Sequence, residues 1–182
     1  MTVKIHDIRS KTPRSNDTRP VSNIKNIARH HSATTDGDFF TFWKHWNGVK
    51  GWGTGGYSEI ILRDGSVQLC YDPNEITNGI ANHNSTTYHI CVVGNGSFTD
   101  AQEKAWEERA LLNMKRFGLS ADKVKGHKEF SGASTACPGI DMGMVRNRLK
   151  YLLTKEDVKP VSKPATKKLF KVQVGAFSVK AN

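Results

Sequence analysis

Residues 57–71 read Y-S-E-I-I-L-R-D-G-S-V-Q-L-C-Y. Two apolar-bearing runs flank Arg63-Asp64-Gly65. Asp-Gly between such runs signals a hairpin, because the tight turn needs backbone angles that glycine and aspartate tolerate. The segment therefore predicts two antiparallel strands and, with them, a sheet. Working outward, N-I-A-R-H (26–30) predicts a strand that ends in His30 and His31, and Y-H-I-C-V-V-G (88–94) predicts another.

Helices are predicted between and beyond these strands. Residues 38–47 open beside Asp36 and Asp38, both candidate caps. Thr99 followed by Gln102 is a capping-box pair. The helix it opens runs to about Phe117, places Trp106, Ala110, Met114 and Phe117 on one face, and stops at Gly118. A last helix is predicted over 141–153, with Met144, Val145, Leu149 and Leu152 inward. Strands and helices mix without strict alternation, so the expected fold class is α/β, a single mixed β-sheet flanked by helices.

The chain has 182 residues with 37% hydrophobic content, enough for one domain with a core. No apolar run approaches the roughly 18 residues that a membrane span needs. The first twenty residues carry no apolar signal region, so the expectation is a protein made in the cytoplasm without a signal peptide. Cys70, Cys91 and Cys137 are the only cysteines. An odd, small number argues against a disulfide framework and for reduced thiols.

The formal net charge is +10. Such a balance seeks polyanions: nucleic acid, anionic cell-wall polymers or acidic lipids. A specific nucleic-acid binder would be expected to show a helix-turn-helix, a zinc finger or an aromatic RNP pattern, and none is recognisable. Residues 154–182 alone carry +5 of the charge. Within them 154–168 has the Lys/Pro/Ser/Thr composition of a linker. L-F-K-V-Q-V-G-A-F-S, from Leu169, alternates like one strand, which cannot bury its apolar face alone. The expected organisation is a domain over 1–153, a linker over 154–168, and over 169–182 the truncated start of a second module.

One loop-like run remains, G-H-K-E-F-S-G-A-S-T-A-C-P-G (126–139). It holds His127 and Cys137 with small polar residues between. Both are zinc-ligand types, and catalytic zinc sites use three protein ligands and leave one position open. His30, at the end of a predicted strand, is a candidate third ligand. Taken singly, these residues read as well as a hydrogen-bonded histidine, a strand-end histidine and a small buried thiol.

H-H-S-A-T (30–34), G-Y-S-E-I-I-L-R-D-G-S-V (56–67), N-H-N with Y-H-I-C-V-V-G, and H-K-E with T-A-C-P-G (127–139) occur in this order. Together they resemble the type-2 N-acetylmuramoyl-L-alanine amidases, a family that includes phage lysozyme-type amidases and the catalytic peptidoglycan recognition proteins. The resemblance spans about residues 20–152. It implies that His30, His127 and Cys137 hold one Zn2+ ion. It implies that Tyr57 leans over the metal as a catalytic donor, with Thr135 assisting. His83 falls where the family has a histidine near the substrate groove. Trp52 is a candidate wall of that groove, since aromatic faces stack on sugars, while Trp43 and Trp46 are expected in the core. His31 is expected to point away from the metal.

Two departures from the family pattern stand out. The spacing from His127 to Cys137 is two residues longer than in the shortest members, so the loop must bulge. The strand H-I-C-V-V carries no acid where some members have glutamate, which leaves the chemistry to tyrosine and zinc. The activity implied is hydrolysis of the amide between N-acetylmuramic acid and L-alanine in peptidoglycan, by an endolysin or autolysin acting on the wall after release. A recognition module that binds peptidoglycan without cutting it is the alternative. The tail after 168 resembles the opening strand of the sporulation-related repeat, a wall-binding module. Its lysines would hold a monomeric enzyme near anionic wall polymers.

Overall fold

A computed structural model describes residues 3–157 except Asn16. Six strands form one mixed sheet: β1 (Ile5–Asp7), β2 (Asn26–His31), β3 (Glu59–Ile61), β4 (Val67–Leu69), β5 (Thr87–Val92) and β6 (Val124–Gly126). Their order across the sheet is β1-β4-β3-β5-β2-β6. Only β3 and β4, the hairpin expected at Asp64-Gly65, pair antiparallel. The other four pairings are parallel. Strands β1 and β6, three residues each, carry no periodic signal and were not expected from the sequence.

Three helices cover the sheet: α1 (Phe39–Gly48), α2 (Asp100–Phe117) and α3 (Met142–Asp157). Each start has a local cause. Asp38 Oδ1 accepts from Thr41 N at 2.8 Å, Asp141 Oδ1 accepts from Gly143 N at 2.7 Å, and Thr99 with Gln102 closes the capping box. Gly118, left-handed at φ 65°, ends α2.

Alternation along β2, β3 and β5 sorts side chains to two faces. Ile27, Ile61, Tyr88, Ile90 and Val92 join Trp106, Ala110, Met114 and Leu149 in the core under α2 and α3. Ile60, Cys91 and Val93 pack with Phe39 and Trp46 of α1 on the opposite face. On the first face the fully buried Glu59 is held bidentately by Arg109 at 2.7 and 2.8 Å, and also accepts from Tyr88 and Asn113. This network fixes α2 to β3, because a buried carboxylate is tolerated only when its oxygens are satisfied.

Two expectations are corrected at α3. Met144 is 71% exposed, whereas Met142 is 1% exposed. The inward positions are Met142, Val145, Leu149 and Leu153, with Met142 and Leu153 in place of the expected Met144 and Leu152; their spacing puts all four on one helical face against the core. The helix also runs through Asp157, so residues 154–157, assigned to the linker from composition, are helical. The rest of the 154–168 linker and the 169–182 module lie outside the described residues. No described helix is long and apolar enough to cross a membrane. Cys70, Cys91 and Cys137 are free and buried.

Candidate metal centre

Strand pairing brings the two histidines together. In the β2–β6 ladder Arg29 stands opposite Gly126, so the next residues, His30 and His127, emerge side by side from parallel strands. Their rings meet edge to face at 4.9 Å. Gly126 lets the Cys137–Pro138 loop and the start of α3 pack against the end of β6, since an added Cβ would lie 2.7 Å from Pro138 and 2.8 Å from Met142.

Cys137 arrives from the loop after His127. Lys128 N donates to Cys137 O at 2.8 Å, which folds the loop back over the turn that carries His127. Thr135 Oγ1 accepts from Cys137 N at 3.1 Å and shapes the approach to the thiol. Glu129 accepts from Gly126 N and from both terminal nitrogens of Arg146, clasping this turn to α3. The loop between His127 and Cys137 is held by His83, whose Nε2 lies 3.1 Å from Ser131 O. Its ring packs on Phe130 at 5.2 Å.

One donor atom from each of His30, His127 and Cys137 lies within 4.8 Å of the others. His30 Nδ1 stands 3.8 Å from Cys137 Sγ. Tetrahedral zinc with ordinary bond lengths separates a nitrogen and a sulfur by about 3.6 Å, so the His30–Cys137 pair is spaced for the ion. Two imidazoles and one thiol are a zinc-type donor set that leaves a coordination position free. Burial, then the neighbouring His89, His127 and His31, holds His30 well below the usual histidine range, so it is neutral and able to ligate. Burial also lowers His127. Burial pushes the Cys137 thiol up to about 11, an effect partly offset by the His31 backbone N–H, which donates to Sγ at 3.3 Å, and by Lys128. The His31 ring is not part of the donor cluster.

Tyr57 packs on His30 with ring centroids 5.0 Å apart, and on Trp46 at 5.4 Å. Burial first, and then Cys91 and Cys137, raises its hydroxyl well above the ordinary tyrosine value, so it remains an O–H donor. A cleft of about 430 Å³ opens beside it, walled by Ser32, Thr34, Asp36, Phe42, His45 and Trp46. Trp46, expected only in the core, thus also faces the cleft. Trp52 instead packs against the core cluster under α1, with Lys50 Nζ 5.2 Å from its ring, and does not line this cleft.

Sequence reasoning missed His89. It lies on the His30 face of β5, and its Nδ1 is 3.1 Å from His30 Nε2. The alternation of His89 and Cys91 signals a shared face, but only strand register shows that His30 is on it.

Residues 18–140 match the family model described as N-acetylmuramoyl-L-alanine amidase. The endolysin of Klebsiella phage KP32 is 30% identical over 107 residues, covering 54% of this chain and 68% of that protein. The endolysin of Escherichia phage T7 is 28% identical over the same length and shares. Among solved structures, the Ph2119 endolysin from Thermus scotoductus MAT2119 bacteriophage Ph2119 superposes with a TM-score of 0.66 at 24% identity, covering 80% of this chain and 98% of that one. Bumblebee PGRP-SA gives a TM-score of 0.67 at 20% identity, covering 80% and 95%. At those identities the structural likeness establishes the fold.

Proposed function

The chain belongs to the type-2 N-acetylmuramoyl-L-alanine amidase family, and from that membership we propose that it hydrolyses the amide between N-acetylmuramic acid and L-alanine in peptidoglycan, using one zinc ion held by His30, His127 and Cys137. The observation that carries this reading is the convergence of two ring nitrogens and one sulfur within 4.8 Å beside an open cleft. Zinc bound there supplies a Lewis acid that makes water nucleophilic near neutral pH and draws electron density from the scissile carbonyl.

The remaining work falls to the chain's own side chains. As the carbonyl carbon becomes tetrahedral, its oxygen gains negative charge. The Tyr57 hydroxyl, a donor that keeps its proton, stabilises that charge. Thr135 keeps a free hydroxyl hydrogen while its oxygen caps the Cys137 turn, so it orients water or substrate at the metal's edge. The cleft between Trp46, Phe42 and Tyr57 receives the muramyl peptide. His83, held against the Ser131 loop, contacts substrate beyond the cleft. The lysine-rich residues beyond Thr154 keep the enzyme on anionic wall polymers. Its relatives named as phage endolysins support a lytic role, reached by release to the wall.

The test is the purified chain incubated with bacterial cell walls. New L-alanine amino termini are expected, with loss of their release after chelation and recovery on adding zinc. Equal release by the chelated protein, or by a His30→Ala variant, would remove the zinc reading. Glycan or cross-peptide cleavage in place of amide cleavage would remove the amidase reading.

A further inference from the structure

The geometry assigns His89 a role that rests on the metal reading above: we infer that it is a positioning residue, fixing the tautomer and ring orientation of His30 so that Nδ1 presents its lone pair to the metal. His30 Nδ1 is the nitrogen near Cys137 Sγ, at 3.8 Å. A neutral imidazole has one lone pair and one N–H. With Nδ1 ligating, the proton sits on Nε2 and needs an acceptor. His89 Nδ1 lies 3.1 Å from that atom. Both rings are buried, His30 at 1% and His89 at 0% exposure, so bulk water does not compete for this bond.

The surroundings fix the His89 ring as well. The β2–β5 register sets Ala28 opposite His89 and Cys91 opposite His30, so the two histidines sit diagonally on one face. Behind His89 lies Gly79. A Cβ there would stand 2.5 Å from His89 Cγ and Nδ1, so the ring lies directly on bare backbone. Accepting at Nδ1 puts the His89 proton on Nε2, which is buried and has no hydrogen-bond partner among the described residues. An apolar side chain would fill the same space without an orphaned donor. A histidine that carries this penalty while its other nitrogen meets a metal ligand matches the outer support metal-binding histidines require.

The test compares zinc affinity of the full chain with its His89→Leu and His89→Asn variants, by competition with a chromogenic chelator. Leucine removes the acceptor. Asparagine returns an oxygen near the position of Nδ1. The leucine variant is expected to bind zinc about 10- to 100-fold more weakly, and the asparagine variant to recover most of that loss. Circular dichroism in excess chelator checks folding. Nitrogen-15 NMR of the metal-free wild type is expected to show the His30 proton on Nε2, a readout independent of either variant. Wild-type affinity in the leucine variant, equal losses in both folded variants, or a His30 proton on Nδ1 would each overturn the inference alone. A wild type that takes up no zinc would overturn the metal reading, and this inference with it.

Discussion

His30 Nδ1 and Cys137 Sγ stand 3.8 Å apart although 107 residues separate them in the chain. The pairing of β2 with β6 and the return of the loop onto Lys128 bring them there. A contact so dependent on the whole fold, between two groups that both bind soft divalent ions, makes the thiol a direct probe of the site. Cys137→Ser is expected to lower zinc content from about one per chain to below roughly a tenth, since an uncharged hydroxyl is a poor zinc ligand. Thermal melts with and without chelator check this. The wild type should lose stability on chelation because the bound ion favours the folded state, and the variant should melt at the same temperature in both.

Tyr57→Phe separates metal binding from catalysis. The ring contacts with His30 and Trp46 survive the change, and only the hydroxyl is lost. The expected outcome is full zinc content with kcat reduced by about 100- to 1,000-fold, the range found on removing one oxyanion donor. A variant with unchanged kcat would take Tyr57 out of the chemistry.

Gly79→Ala should destabilise the fold by about 1–3 kcal/mol, the typical cost of overpacking. The added methyl would stand 2.5 Å from the ring of the fully buried His89. Urea denaturation of the metal-free protein measures it. In a His89→Ala background the same substitution should cost far less, because the clash is gone.

Arg109→Met should cost about 3–5 kcal/mol, because Glu59 would remain as a buried charge without its cation. A Glu59→Leu/Arg109→Met double variant should recover most of the loss. Denaturant midpoints decide the outcome, and additive effects of the two changes would show that the pair is not coupled.

Asp7→Asn should flatten the acid limb of the stability profile. The hydrogen bond from Arg9 holds the Asp7 carboxyl at about 2, below its ordinary value of 3.8. A depressed folded-state value means that the contribution is complete above about 3.8 and is lost as pH falls towards about 2. The pair is solvent-exposed, so the effect should stay under about 1 kcal/mol. Melting temperatures of wild type and variant between pH 5 and 2 check it, and parallel profiles would refute it.

The sequence by itself determined the local elements and the identity of the donor set. Asp64-Gly65, the Thr99–Gln102 box, Asp38 and Gly118 act through atoms a few residues away, so the hairpin, the helix starts and the end of α2 were legible. Linear blocks carried the family resemblance, and with it the choice of His30, His127, Cys137 and Tyr57. What only the tertiary structure decided is non-local. The pairing of β2 with β6 makes His30 and His127 neighbours, and β6 is too short to announce itself by pattern. The register of β2 on β5 places His89 behind His30, and a shift of one residue would turn it to the opposite face. The packing of α3 on α2 and β6 through Met142, Val145, Leu149 and Leu153 decides that Met144 faces outward. Strand register and loop closure are set by packing across the whole sheet, which no stretch of sequence encodes alone.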